Sequence, residues 1–96
     1  MKQAIPVKAK HVNEGQATSC KYCPVALALS EFFNYVWVSG SEAMIGQDWD
    51  ERQYYQFEQE LSLWVLDFDS FKPVQPFILV LDHKARTAEM LQEVTA

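Results

Sequence analysis

Hydrophobic positions along this chain recur at two spacings, and the change between them marks its elements. Ile5, Val7 and Ala9 alternate with Pro6, Lys8 and Lys10, the period of a half-buried strand. Pro6 has no amide donor, which sends that strand to a sheet edge or Pro6 to the strand's start. His11 to Ser19 is polar around Gly15 and reads as a loop. From Cys23 the spacing lengthens. Pro24 suits the first position of a helix, where its missing N–H has no partner to lose. Val25, Ala28, Leu29, Phe32 and Phe33 then form one apolar stripe, and Asn34 is the expected stop. Tyr35-Val36-Trp37-Val38 is a β-rich run. Ser39-Gly40-Ser41 turns the chain, and Ala43-Met44-Ile45 pairs back before Gly46.

A second helix is expected from Asp50-Glu51-Arg52-Gln53, an acidic cap with glutamine three residues on. Tyr54, Phe57, Leu61, Trp64, Val65 and Phe68 step along one of its faces; Glu58, Gln59 and Ser62 lie opposite. Asp69-Ser70-Phe71-Lys72-Pro73 closes it, because proline disfavours helix in the residue before it. Phe77-Ile78-Leu79-Val80-Leu81 reads as a buried central strand, broken at Asp82-His83-Lys84. Thr87 to Val94 reads as a short final helix with Met90, Leu91 and Val94 on its apolar side. The expected order is β-α-β(β)-α-β-α. That is an α/β (α+β) fold, with helices packed on a short mixed or antiparallel sheet.

The 96 residues make one domain, 1–96, with its core in 5–81 and a C-terminal tail or helix in 83–96. A hydrophobic share of 49% and an aromatic share of 14% are globular values that exclude a disordered chain. The aromatics exceed what so small a core needs, so some belong to a groove or a contact. The net charge of −5 is unevenly spread. Lys2, Lys8, Lys10 and Lys21 dominate residues 1–21. Glu42, Asp48, Asp50, Glu51, Glu58, Glu60, Asp67 and Asp69 face only Arg52 across 42–69. This field argues against direct nucleic-acid binding; it reads as a solvated acidic helix face or as a surface suited to a basic partner. No apolar run reaches the roughly 20 residues of a membrane span. No hydrophobic signal region follows Met1-Lys2-Gln3. A cytoplasmic protein with reduced thiols is expected.

Three chemistries compete for Cys20-Lys21-Tyr22-Cys23-Pro24. A thiol at a helix N-terminus feels positive partial charge from free amides, which lowers its pKa. Cys20 as attacking thiolate and Cys23 as resolving thiol would resemble, loosely, the layout of glutaredoxins. That layout puts proline between the cysteines, whereas here Pro24 follows them. The pair also has the spacing of half a zinc site, with His11 the nearest further ligand, or with a second chain supplying two more thiolates. The simplest reading makes Cys23 a helix cap and leaves Cys20 incidental.

Longer stretches carry a resemblance. Lys10-His11-Val12-Asn13-Glu14-Gly15, Cys23-Pro24-Val25-Ala26-Leu27-Ala28-Leu29, Leu66-Asp67-Phe68-Asp69 and Pro73-Val74-Gln75-Pro76-Phe77 resemble small uncharacterised proteins of bacteriophages and related mobile DNA. The resemblance spans roughly residues 5–81. It implies an accessory protein with no assigned reaction, acting in the host cytoplasm, in which Cys23-Pro24 is the more characteristic part of the cysteine motif.

The expected function is therefore non-enzymatic and needs no cofactor. It consists of association with a protein, a basic host protein or a second copy of the chain, through an acidic and aromatic surface. Tyr22, Tyr35, Trp37, Trp49, Tyr55 and Phe71 fall outside the helical stripes, and Trp and Tyr favour contact centres. Trp37, Trp49, Asp48, Asp50, Tyr55 and Glu58 are the expected surface.

Overall fold

A computed structural model describes residues 1–91. Along the chain run β1 (Lys2–Val7), α1 (Ala9–Glu14), α2 (Pro24–Ser30), β2 (Tyr35–Val38) and β3 (Glu42–Gly46). A single 3₁₀ turn (Trp49–Glu51) follows, then β4 (Gln53–Phe57), α3 (Gln59–Asp69), β5 (Phe77–Asp82) and β6 (Thr87–Leu91). The strands form one sheet in the order β1-β5-β6-β4-β3-β2. Every pairing is antiparallel except β4 with β6. The sheet is therefore mixed, with helices on one face, as the expected fold class requires.

The sheet is not flat. α2 packs against β1 and also against β2, the two outermost strands, so the sheet curls until both edges reach the same helix. Pro24, Val25, Ala26, Ala28 and Leu29 are all buried. A helix apolar on nearly every side needs walls on every side. Ile5, Val7, Leu79 and Leu81 line the concave face beside α2, and Leu61 of α3 joins the same core.

α1 staples both ends of α2. Gly15 lies so close to the start of α2 that a Cβ there would stand 2.7 Å from Cγ and Cδ of Pro24 and 2.8 Å from the His11 carbonyl. His11, almost fully buried, accepts the Lys8 amide at Nδ1 (2.8 Å). Its Nε2 lies 2.7 Å from Glu31 Oε2, at the C-cap of α2. With Nδ1 the acceptor, Nε2 is the nitrogen that donates to the carboxylate. The His11 and Lys10 bonds hold the Glu31 carboxyl below its usual range.

Five stretches differ from the sequence expectation. The stretch from His11 to Ser19 is not all loop, because α1 occupies its beginning; six residues are too few to show a stripe. α2 ends at Ser30, not Asn34. Phe32 is exposed and Phe33 packs on the core from a tight turn in which both amides donate to the Leu29 carbonyl.

The expected second helix begins eight residues late. Its acidic cap starts only the 3₁₀ turn, and Gln53–Phe57 is a strand. Tyr54 and Phe57 happen to be three apart. The alternation that governs is Tyr55 inward against Tyr54 and Gln56 outward, fixed by pairing to β3 and β6. The final helix is β6, in which Ala88 is buried and pairs with Leu81. Asp82 Oδ1 accepts the Lys84 and Ala85 amides, and Arg86 turns with φ 59°, closing a hairpin with β5. Leu91 is exposed, and Val94 lies outside the described residues. β5 stands second from the edge and alternates buried and half-buried residues, so it is covered on one face only.

The glycine contact gives a direct test. Gly15→Ala should destabilise the protein by about 1–3 kcal/mol in urea unfolding, the usual penalty for overfilling a packed site. Gly40→Ala, where an added Cβ meets nothing within 4 Å, should change stability by less than about 0.5 kcal/mol. Equal effects would show that α1 does not bear on Pro24.

Candidate functional site

Among the described residues, no helix lies on the convex face of the sheet. At its β2-β3-β4 corner, strand alternation and register put Trp37, Met44 and Tyr54 in one row across three strands. Tyr35 lies two residues before Trp37 on the same face. Tyr35, Trp37, Trp49 and Tyr54 are 39%, 47%, 60% and 59% exposed, too much solvent-facing aromatic surface for core residues. They surround a groove of about 420 Å³ whose lining also includes Lys21 and Arg52.

The 3₁₀ turn delivers Trp49 and Arg52 to this corner, and Gly46 makes that possible. A Cβ on Gly46 would stand 2.9 Å from Arg52 Cα and 3.0 Å from the Glu51 carbonyl. The bare backbone lets the turn lie against the end of β3. Arg52 Nε donates to the Trp49 carbonyl at 2.6 Å, and its guanidinium sits 3.3 Å from the Trp49 ring centre. Tyr35 meets Trp49 edge-on, centroids 5.9 Å apart. Lys21 Nζ stands 5.7 Å from the centre of Trp37. The start of β2 is braced by paired amides: Asn34 Nδ2 donates to the Gln47 carbonyl, and Gln47 Nε2 to that of Phe32. The corner is thus preformed. Its rings offer stacking and cation–π faces of about 0.5–2 kcal/mol each.

Trp37 and Trp49 of the expected surface line the groove; Asp48 and Asp50 flank Trp49 in the exposed turn but are not part of the lining. Glu58 is exposed, but it caps α3 beyond the far end of β4. Tyr55 is a correction: it is 5% exposed because it points into the concave face. Its hydroxyl donates to His83 Nδ1 (2.7 Å), and His83 Nε2 donates to Gln3 Oε1 (2.8 Å). This chain ties β4 to β1 and the β5-β6 turn, and burial raises the Tyr55 pKa. Tyr54 replaces it at the surface, a residue the helical reading had placed in the core. Reading Tyr54-Tyr55-Gln56-Phe57 at period two would have found it. Tyr22 and Phe71 are exposed but do not line the groove.

The cysteines form a separate feature. Both are free thiols, beside a crevice of about 220 Å³ shared with Thr18, Ser19, Val38 and Asp69. Cys23 is the N-cap of α2, its Sγ accepting the Ala26 amide at 3.4 Å, with Pro24 at the first helical position. Burial pushes its thiol up to about 11, against the lowering pull of the Ala26 and Val25 amides. A thiol so protonated at neutral pH is a poor nucleophile or ligand. His11 is committed to Lys8 and Glu31. Among the described residues no three or more His, Cys, Asp or Glu side chains gather where they could hold a metal ion. None of the described helices is long and apolar enough to cross a membrane.

The buried cap sets a pH dependence. A thiol whose folded pKa lies above its ordinary value of 9.0 contributes stability that is complete below pH 9 and lost as pH rises through 11. Stability should therefore fall by an amount of order 2 kcal/mol across that interval. Cys23→Ser should remove this component from a urea-unfolding pH series, while Cys20→Ser keeps it. No family model, curated protein or solved structure matches this chain.

Proposed function

We propose that this protein is a non-enzymatic accessory module that acts by binding another protein through the aromatic corner of its sheet. The observation that carries this reading is the grouping of four exposed rings on a face that no described helix covers. Three of these rings stand on strands and the fourth on a turn packed against them, so they lose little freedom when a partner covers them. Tryptophan and tyrosine are the residues whose contacts dominate interface energy. The capped, buried Cys23 supports a scaffold role for the cysteine motif. The sequence resemblance to accessory proteins of phages and mobile elements points the same way.

The charge pattern refines the partner. Asp48, Asp50 and Glu51 are exposed in and beside the turn that carries Trp49, without an ion-pair partner among the described residues. They suit basic side chains of a host protein. The lining of the groove instead includes Lys21 and Arg52. A partner matched to both bears basic groups around a contact that is not itself basic.

Immobilised protein should retain a specific partner from a host extract at low salt and release most of it near 0.5 M salt, because these acidic charges are exposed and screened. Trp37→Ala with Tyr54→Ala should cut retention at least about tenfold and leave the thermal midpoint nearly unchanged. Undiminished capture by the double variant, or no specific capture at low salt, contradicts the reading.

A further inference from the structure

We infer that the groove receives an extended, acidic segment of the protein partner, which adds to the sheet alongside β2. This rests on the association reading above and specifies what enters the site.

The two edges of the sheet are built differently. At β1, the Met1 carbonyl accepts the His83 amide, so odd-numbered residues face β5 and Lys2, Ala4 and Pro6 turn their backbone outward. Pro6 there has no N–H to offer, and a lysine lies in the same outward row. These are two ordinary defences of an exposed edge. At β2, the Ser39 amide donates to Glu42 on β3, whereas the Val38 amide points away and donates to the Cys20 carbonyl at 2.8 Å. Val36 shares the outward parity of Val38. Its N–H and C=O have no partner among the described residues. Tyr35-Val36-Trp37-Val38 contains no proline, glycine or charge. One edge is blocked; the other is open at Val36.

The groove reaches that opening, since Val36 is part of its lining with Tyr35 and Trp37. A peptide continuing the line begun by Cys20 would exchange hydrogen bonds with Val36. Its alternate side chains would fall on the groove face. There they would meet the four rings and the two cations. Neither Lys21 nor Arg52 is ion-paired with a carboxylate among the described residues, although Asp48, Asp50 and Glu51 are near in sequence. Among the described residues no carboxylate lines the groove. An apolar or aromatic side chain, with Asp or Glu two residues along, satisfies both. A single-stranded nucleic acid would use rings and cations too. It would leave the Val36 amide unused and bring phosphates against the acidic turn.

The probe is a blocked synthetic peptide in which threonine alternates with valine, glutamate and phenylalanine. It is titrated into the full chain by tryptophan fluorescence, with amide exchange of Val36 followed by NMR. Saturation should slow Val36 exchange at least about tenfold. Replacing the peptide's glutamate by lysine, or making Arg52→Gln, should each weaken binding about two- to fivefold, the size of a screened charge contact. Val36→Pro removes the donor and should abolish binding; backbone N-methylation of the peptide is the matching test that leaves the protein intact. The inference is overturned if the peptide does not bind, or if it saturates while Val36 exchange is unchanged. Equal affinity of the lysine peptide overturns it too, as does tighter binding of a short oligothymidine. In any of these cases, loss of partner capture by the Trp37 and Tyr54 variant would still leave the association reading standing.

Discussion

Enclosure of α2 on nearly every side is the constraint from which the rest of the molecule follows. A helix of seven residues is too short to hold itself in water, so tertiary packing must supply its stability. The packing is supplied by curling a six-stranded sheet until β1 and β2 both touch it, and by laying α1 along it. Its N-terminus then has to be closed without water. Pro24 contributes no donor, and the Cys23 sulfur takes the Ala26 amide. Gly15 against Pro24 and His11 on Glu31 pin the two ends. The His-Val-Asn-Glu-Gly and Cys-Pro segments, separate in sequence, form one structural knot.

This arrangement explains why the proposed contact surface lies where it does. With every described helix committed to the concave face, the convex face is left to side-chain chemistry alone. Its β2-β3-β4 corner is aromatic. Gly46 admits the 3₁₀ turn, which carries Trp49 and Arg52 onto the rings of β2 and β4. Strands and paired side-chain amides hold the corner, so a partner covering it would order little that is not already ordered.

Much of the scaffold was legible in the chain. Pro24 with its apolar stripe announced α2, and Pro6 left an edge strand as one of two options, the one that β1 takes. The apolar run Phe77 to Leu81 marked a strand, but one expected to be central and buried on both faces, whereas only alternate residues are fully buried. Failures came where two periods overlapped. Tyr54, Phe57 and Leu61 fit a helix as spacing and a strand as alternation, and pairing with β3 and β6, a long-range contact, decides between them. Thr87 to Leu91 is the same case: hairpin closure by Asp82 and Arg86 outweighs local helix preference. At the site, Trp37 and Trp49 could be chosen because they fit no helical stripe. Tyr54 and Tyr55 exchanged roles with the change of period, and the contribution of Gly46 depends on an approach that composition does not reveal.

Native-state hydrogen exchange tests the enclosure of α2 most directly. If the helix is sealed by sheet, α1 and the Cys23-Pro24 cap, the Leu27, Ala28 and Leu29 amides should open only with the whole protein, at the free energy that denaturant unfolding gives. Opening of those amides well below that free energy, at the level of exposed turns, would mean that α2 is not the enclosed centre of the fold.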